Sequence, residues 1–290
     1  MTSRDLEAII AKLERVDLSR FIRRQSTVHL LGNASKAEVA FQEFYISIAD
    51  LQKVVAPKLD FATNRWLFQY LTTVLDRAVL RALTKMKLLV MPSAISLNLN
   101  VTSCRHPSFN AFLETLAEGQ DVVVEMELVD AFAHLNDFLT IQAALHERGY
   151  KLLLDRLTPI TFQLIDPTLF DAYYMKINWS PDLTDAVVPK DGETPQAFIA
   201  RIGAEKFILA RCDSEAAVKW GIAIGIRWFQ GRFVDAMLAA VTMAGCLDSA
   251  ACTLQQCTLR RGVIVGPHRD QCTNHRLLDT FPQIRSPGRG

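Results

Sequence analysis

Six side chains able to bind a metal or a phosphate recur along this chain at the ends of apolar runs: Glu43, Asn98, Glu125, Asp155, Lys176 and Gln230. They are three carboxylates, two carboxamides and one ammonium. If the runs are strands of one parallel barrel, their carboxyl ends meet in a single mouth. Hard oxygen ligands of this kind suit Mg2+ or Mn2+. Two such ions can clamp a phosphodiester and generate the attacking hydroxide. Taken singly, a carboxylate at a strand end also serves as a helix cap or simply faces solvent. Its recurrence in successive units favours a shared site, but recurrence alone names no reaction.

The elements that must position these residues can be read from periodicity. Leu6, Ile9, Ile10, Leu13 and Val16 are spaced for a helix over Leu6 to Arg24. Thr27 to Leu31 and Val39 to Ile46 flank Gly32 and Asn33, the form of a hairpin. Asn64 to Lys85 carries an apolar stripe and predicts an amphipathic helix. From there strand-like runs alternate with helical ones. The strands are Ser93 to Val101, Asp121 to Met126, Tyr150 to Asp155, Asp171 to Ile177, Lys206 to Ala210 and Arg227 to Phe229. The helices are Pro107 to Ala117, Ala131 to Arg148, Ile160 to Ile165, Thr194 to Gly203 and Ser214 to Ile224. Apolar strands alternating with helices form parallel sheets covered on both faces. The expected class is α/β, with a (β/α)8 TIM-type barrel preferred to a small open sheet. No glycine-rich phosphate loop is present; Gly221 to Gly231 lacks the spacing.

Composition bounds the rest. Half of the 290 residues are apolar, enough for one large core. The net charge of +1 provides no basic field for DNA. No apolar run reaches the ~20 residues that span a bilayer, and Met1 to Glu14 lacks the apolar centre of a secretory signal. A cytoplasmic protein with no membrane contact is therefore expected. Four of the six cysteines, Cys246, Cys252, Cys257 and Cys272, crowd the last 45 residues with His268 and His275. This shift divides the chain into a main body, 1–245, and a C-terminal appendage, 246–290, ending in a frayed tail from Ser286. Cys252, Cys257, Cys272 and His275 form two pairs of zinc-type ligands, with Cys246 or His268 as substitutes for His275. A set of plain thiols is the alternative. Arg260-Arg261 and Gly266 to Arg269 read as a solvated turn.

The order of the six polar positions resembles the EAL family, which hydrolyses the bacterial second messenger cyclic di-GMP. The resemblance covers roughly residues 20 to 235. Glu43-Phe-Tyr45 stands in the place of the Glu-Ala-Leu signature. Asn98 to Phe109 is similar to the segment that opens on a metal-binding Asn and closes on Pro-x-Phe. Val124 to Leu128 is similar to the strand bearing the next metal-binding Glu, here Glu125. Asp155 takes the first place of an Asp-Asp pair. Tyr174 to Asn178 is similar to the Lys-Ile-Asp segment, with Lys176 in the catalytic lysine position, and Gln230-Gly231 is similar to the terminal Gln-Gly. Each motif is short and altered; the ordered series carries the resemblance.

The departures bear on function. Arg156 replaces the second Asp of the pair, and Thr158 to Phe162 replaces the glycine-rich loop that orders the metal site and a dimer contact. Ala210 and Asp213 take the places of two glutamates, and Ser47 that of a phosphate-binding Arg. A site with fewer carboxylates and an added cation holds Mg2+ or Mn2+ poorly. The resemblance thus implies a degenerate member with no catalytic residues at work. It would act in cyclic-di-GMP-related signalling through a protein partner, with a homodimer as one form. The alternative is a non-hydrolysing cyclic-di-GMP receptor, with Arg156 and Gln230 on the nucleotide. An active phosphodiesterase with an altered site is the third reading.

Overall fold

The computed structural model describes residues 3–13, 16–32, 36–57, 65–86, 94–164, 166–184, 193–280 and 284–285. Asn33, Asn64, Ser93, Ile165 and the tail from Ser286, all named above, lie outside the described residues.

A helix, α1 (Ser3–Leu13), leads into a 3-10 turn at Leu18–Phe21 that Asp17 caps. The expected helix over Leu6 to Arg24 therefore stops early. Its last residues open strand β1 (Ile22–Leu31) because they pair with β2 (Lys36–Ile46) in an antiparallel hairpin, Ile22 opposite Ile46. Next come α2 (Ile48–Val55) and α3 (Arg65–Met86). Ser47 sits at the N-cap of α2 and accepts a bond from Asp50 N at 3.3 Å. Leu6, Ile9, Leu51, Val55, Leu71 and Leu75 of these three helices bury together.

The β/α units follow in order. Strand β3 (Ala94–Asn98) is followed by α4 (Val101–Cys104) and α5 (Pro107–Leu113), and β4 (Asp121–Glu127) by α6 (Leu128–Ala133) and α7 (Leu135–Glu147). Strand β5 (Lys151–Leu157) is followed by α8 (Pro159–Leu164), β6 (Tyr174–Asn178) by α9 (Pro195–Ile202), and β7 (Phe207–Ala210) by α10 (Glu215–Ala223). Strand β8 (Trp228–Phe229) precedes α11 (Arg232–Ala244). The helix expected over Ala131 to Arg148 is two helices. They meet at His134, whose backbone (φ −123°, ψ 42°) leaves the helical region.

Strands β2 to β8 run parallel in sequence order. Strand β1 pairs antiparallel with both β2 and β8, which closes the eight strands into a barrel. The α/β barrel expected from the sequence is what forms, with its first strand reversed.

The period of two along each strand divides side chains between two cores. Phe41, Ala94, Val123, Leu153, Tyr174 and Ile208 point inward and plug the barrel. Their neighbours Ile95, Val122, Val124, Leu152, Leu154, Met175, Ile177, Phe207 and Leu209 pack outward among the helices. Both faces of the parallel strands are buried, which is why their sequences read as continuous apolar runs.

The appendage is α12 (Leu254–Gly262), α13 (Pro267–Asp270), α14 (His275–Asp279) and a short strand, β9 (Ile284–Arg285), antiparallel to the start of β2. It is fastened to the barrel through the hairpin. Arg24 donates from Nε to Arg261 O at 2.6 Å and from Nη2 to Leu278 O at 2.7 Å, and it pairs with Asp279 at 2.8 Å. The expected solvated turn at Arg260-Arg261 is corrected: both side chains are buried. Arg261 donates to Thr242 Oγ1 at 2.8 Å and to the carbonyls of Leu277 and Thr280 at the end of α14, while Arg260 donates to Cys252 Sγ. Backbone acceptors at a helix end satisfy a buried guanidinium without exposing it.

Candidate functional site

The mouth is built two residues above the barrel plug. Phe41 leads to Glu43, Val123 to Glu125, Leu153 to Asp155, Tyr174 to Lys176 and Ile208 to Ala210; Ala94 leads through Ser96 to Asn98. Because the period is two, each polar residue faces the same interior as the apolar one beneath it. Parallel registers bring them level: Glu43 opposite Ser96, Asn98 opposite Glu125, Asn178 opposite Ala210. A cavity of about 600 Å³ opens there, lined among others by Glu43, Asn98, Asp155, Arg156, Lys176 and Gln230.

Lys176 is the hub. Its Nζ lies 3.0 Å from Glu43 Oε2 and in direct contact with Glu125 Oε2. Ser96 Oγ donates to the other oxygen of Glu125 at 2.5 Å, and Gln230 Nε2 donates to Glu43 Oε2 at 2.9 Å. Asn98 Nδ2 donates to Asp155 Oδ2 at 3.3 Å. Thus all six sequence-predicted polar residues lie in one connected region. Burial pushes the Glu125 carboxyl up to about 8; Glu43 adds to this and Lys176 opposes it. The same burial disfavours the Lys176 ammonium, but Glu125, Glu43 and Asp155 outweigh it and hold Lys176 above its ordinary value. Asp155 is also raised by burial, against the pull of Lys176.

Three arginines stand at the rim among the carboxylates of Glu127, Asp130 and Asp213. A bulge in β5 between Leu154 and Leu157 puts Arg156 in the left-handed region, φ 59°, and turns its side chain outward to Glu127 at 2.9 Å. Arg211 also lies in the left-handed region, φ 56°, directly after Ala210. Arg232 pairs with Asp213 at 2.6 Å. All three line the mouth. Backbone held in this sparsely populated region is concentrated at functional sites. Arg211, Arg232 and Gln25 were not singled out from sequence; the one signal available was that Arg211 directly follows the strand-end position Ala210 and Arg232 follows Gln230-Gly231. Gly231 makes the last turn feasible, since a Cβ there would stand 2.4 Å from Cys212 N. Cys212 N in turn donates to Gln230 O at 2.9 Å, fixing the loop that carries Gln230.

In the appendage, Cys246, Cys252, Cys257 and Cys272 surround a small cavity of about 20 Å³, together with Arg260 and Asn274. His275, expected as the fourth ligand, opens α14 and is not among the residues lining it. Cys257 Sγ faces Ala239 O at 3.9 Å. Among the described residues, no group of three or more His, Cys, Asp or Glu side chains is disposed to hold a metal ion, here or at the mouth. No described helix is long and apolar enough to cross a membrane.

Neither a protein-family model nor a curated protein matches this chain. Solved structures do. The EAL domain of Xanthomonas citri FimX, in complex with c-diGMP, is similar at 15% identity over 80% of this chain and 93% of that one, TM-score 0.56. Vibrio cholerae LapD, an S helix-GGDEF-EAL protein bound to c-di-GMP, is similar at 14% identity over 81% of this chain and 57% of that one, TM-score 0.57. The Pseudomonas aeruginosa FimX EAL domain bound to c-di-GMP is similar at 15% identity over 78% and 93%, TM-score 0.52. At such identities the likeness speaks for the fold, and this chain has the fold of EAL domains.

Proposed function

We propose that this is a non-hydrolysing EAL-type signalling protein, acting by binding a protein partner rather than by turnover. The observation that supports it is the donor set at the mouth. Glu43, Asn98, Glu125 and Asp155 are present, but Ala210 offers no ligand atom and Arg156 brings a cation whose partner is the nearby Glu127. A pair of hard divalent ions needs several anionic oxygens and no fixed positive charge beside them. The residues present do not fit two ions, so two-metal hydrolysis has no site at this mouth. A surface for a partner is available on α6 and α7, where Val129, Phe132, Leu135 and Leu139 are exposed. Incubation with cyclic di-GMP and Mg2+ or Mn2+, followed by chromatography, is expected to yield no linear dinucleotide. Steady turnover would refute the proposal.

A second reading, a receptor for cyclic di-GMP, is favoured by the 600 Å³ cavity with Arg156, Arg211 and Arg232 at its rim. The FimX and LapD structures are described as complexes with that nucleotide. In this reading Arg156 and Gln230 contact the phosphates directly, and binding persists in EDTA. For the appendage, a structural zinc on Cys252, Cys257, Cys272 and His275 rests on ligand type alone, because the described side chains there are not grouped to hold an ion. Metal analysis of the purified chain tests it; less than about a tenth of an equivalent of zinc would remove it.

A further inference from the structure

The four cysteines of the appendage line one cavity of about 20 Å³, the space of a single water. The start of α12 sets two of them side by side. Thr253 caps the helix: its Oγ1 accepts from Gln256 N at 3.2 Å, and Gln256 Oε1 accepts from Thr253 N at 2.9 Å. This reciprocal box makes Cys252 the residue before the cap and Cys257 the fourth residue of the helix. Side chains at those two positions pack against each other across a capping box. An apolar pair is usual there and acts as a staple; here both members carry sulfur. Cys257 is buried, with its thiol toward Ala239 O, whereas Cys252 is half-buried.

A cation completes the arrangement. Arg260, later on α12, is 8% exposed. Its Nη1 donates to Cys252 Sγ at 2.8 Å, and among the described residues it forms no ion pair with a carboxylate. A buried guanidinium favours an anion in contact with it. Negative charge developing on the Cys252 sulfur meets that need, and the N–H groups at the start of α12 add to the effect. Partial exposure beside a cation is the setting of a reactive cysteine, and a second sulfur packed against it supplies the resolving thiol.

We propose that Cys252 and Cys257 are a peroxide-oxidised pair, a modification site of the appendage that is independent of what the mouth binds. The Cys252 sulfur attacks one oxygen of hydrogen peroxide. The S–O bond forms as the O–O bond breaks, and the departing hydroxide takes the Cys252 proton and leaves as water. The Cys257 sulfur then attacks the Cys252 sulfur. The S–S bond forms, the S–O bond breaks, and the second hydroxide leaves as water with the Cys257 proton. The two thiols are oxidised by two electrons in all, and the peroxide is reduced by the same two. Arg260 stabilises the charge on the Cys252 sulfur during the first attack. Cys246 and Cys272 line the same cavity, but neither lies on α12, and Cys246 Sγ accepts from Asn274 Nδ2 at 3.6 Å. The pair and a zinc ion exclude each other, since a sulfur bound to zinc is not free to attack.

The test treats the full chain, reduced and then freed of reductant, with a small molar excess of hydrogen peroxide. Thiols titrated after denaturation should fall by two of the six. Trypsin leaves Cys246, Cys252 and Cys257 on one peptide, and chymotrypsin parts them by cutting after Leu247 and Leu254. Mass spectrometry of the double digest should then find Cys252 joined to Cys257. In Cys257→Ser, a 1,3-dione should label Cys252 as its sulfenic acid. In Arg260→Met, oxidation should slow roughly tenfold. Retention of all the thiols overturns the proposal, as does a bridge from either cysteine to Cys246 or Cys272. Oxidation of Arg260→Met at the parent rate would also overturn it, as would an equivalent of zinc on the reduced chain. The bridge is mapped in the parent protein, so misfolding of a variant leaves that result intact.

Discussion

Replacing Lys176 by methionine tests the electrostatics of the mouth directly. The side chain is 3% exposed and holds Glu43 at 3.0 Å and the fully buried Glu125 in direct contact. Methionine retains most of the volume but leaves both carboxylates without their counter-charge. Removing one partner of a buried pair costs roughly 3–5 kcal/mol, because the carboxyl left behind either stays charged without a partner or takes up a proton against the solution pH. With an unfolding entropy of about 2.1 cal/mol/K per residue, 290 residues give about 1.6 °C per kcal/mol. Lys176→Met should therefore melt roughly 5–8 °C lower at pH 7.5. The pH dependence has a definite sign. Glu125 is raised from its ordinary 4.5 to about 8 even with Lys176 present, and losing the lysine raises it further. An acid raised in the fold contributes stability fully below its unfolded value and loses it as pH rises through the folded value. The deficit of the variant should thus shrink on acidification toward pH 5. Adding Glu125→Gln should recover part of the loss, with a coupling energy of roughly 1–3 kcal/mol. Denaturant and thermal unfolding at pH 5 and 7.5 measure all four species. A Lys176→Met variant as stable as its parent at pH 7.5, with no coupling to Glu125→Gln, would refute the reasoning.

Two further perturbations reach other parts of the molecule. Arg24→Met keeps the apolar stem but leaves the carbonyls of Arg261 and Leu278 without their donor and Asp279 with Arg269 alone; limited proteolysis should then cut between residues 246 and 280 faster than in the parent, and equal rates would show that the clamp does not hold the appendage. Asp76 accepts from Asn100 N at 2.8 Å and Nδ2 at 2.7 Å, and burial raises it from 3.8 to about 6 against those bonds. Its contribution is present below about pH 4 and lost as pH rises through 6, by at most about 3 kcal/mol. Asp76→Asn should therefore gain stability relative to the parent between pH 4.5 and 7, and a pH-independent difference would contradict the assignment.

Much of the barrel was legible because a parallel strand buried on both faces leaves a dense apolar run, and the chain repeats that run. The six polar residues were legible for a related reason: each breaks an apolar run at the level where the barrel plug ends. What fell between the runs was not legible. The helix over Leu6 to Arg24 was overextended because helical spacing in the first residues says nothing of Ile22 pairing with Ile46 across the hairpin. Arg260 and Arg261 read as solvated because their acceptors come from distant segments, Thr242, Cys252 and the end of α14.

The sequence by itself determined the fold class and the inward layer of the mouth, since these follow from residue type and a period of two. Only the tertiary structure decided that Lys176 binds two carboxylates at once, that Arg211 and Arg232 share the rim with Arg156, and that the appendage is fastened to the hairpin. Those relations join residues up to 254 positions apart, as between Arg24 and Leu278. Such contacts depend on closure of the ring and docking of its last helices, and no local pattern encodes a distance that only closure creates.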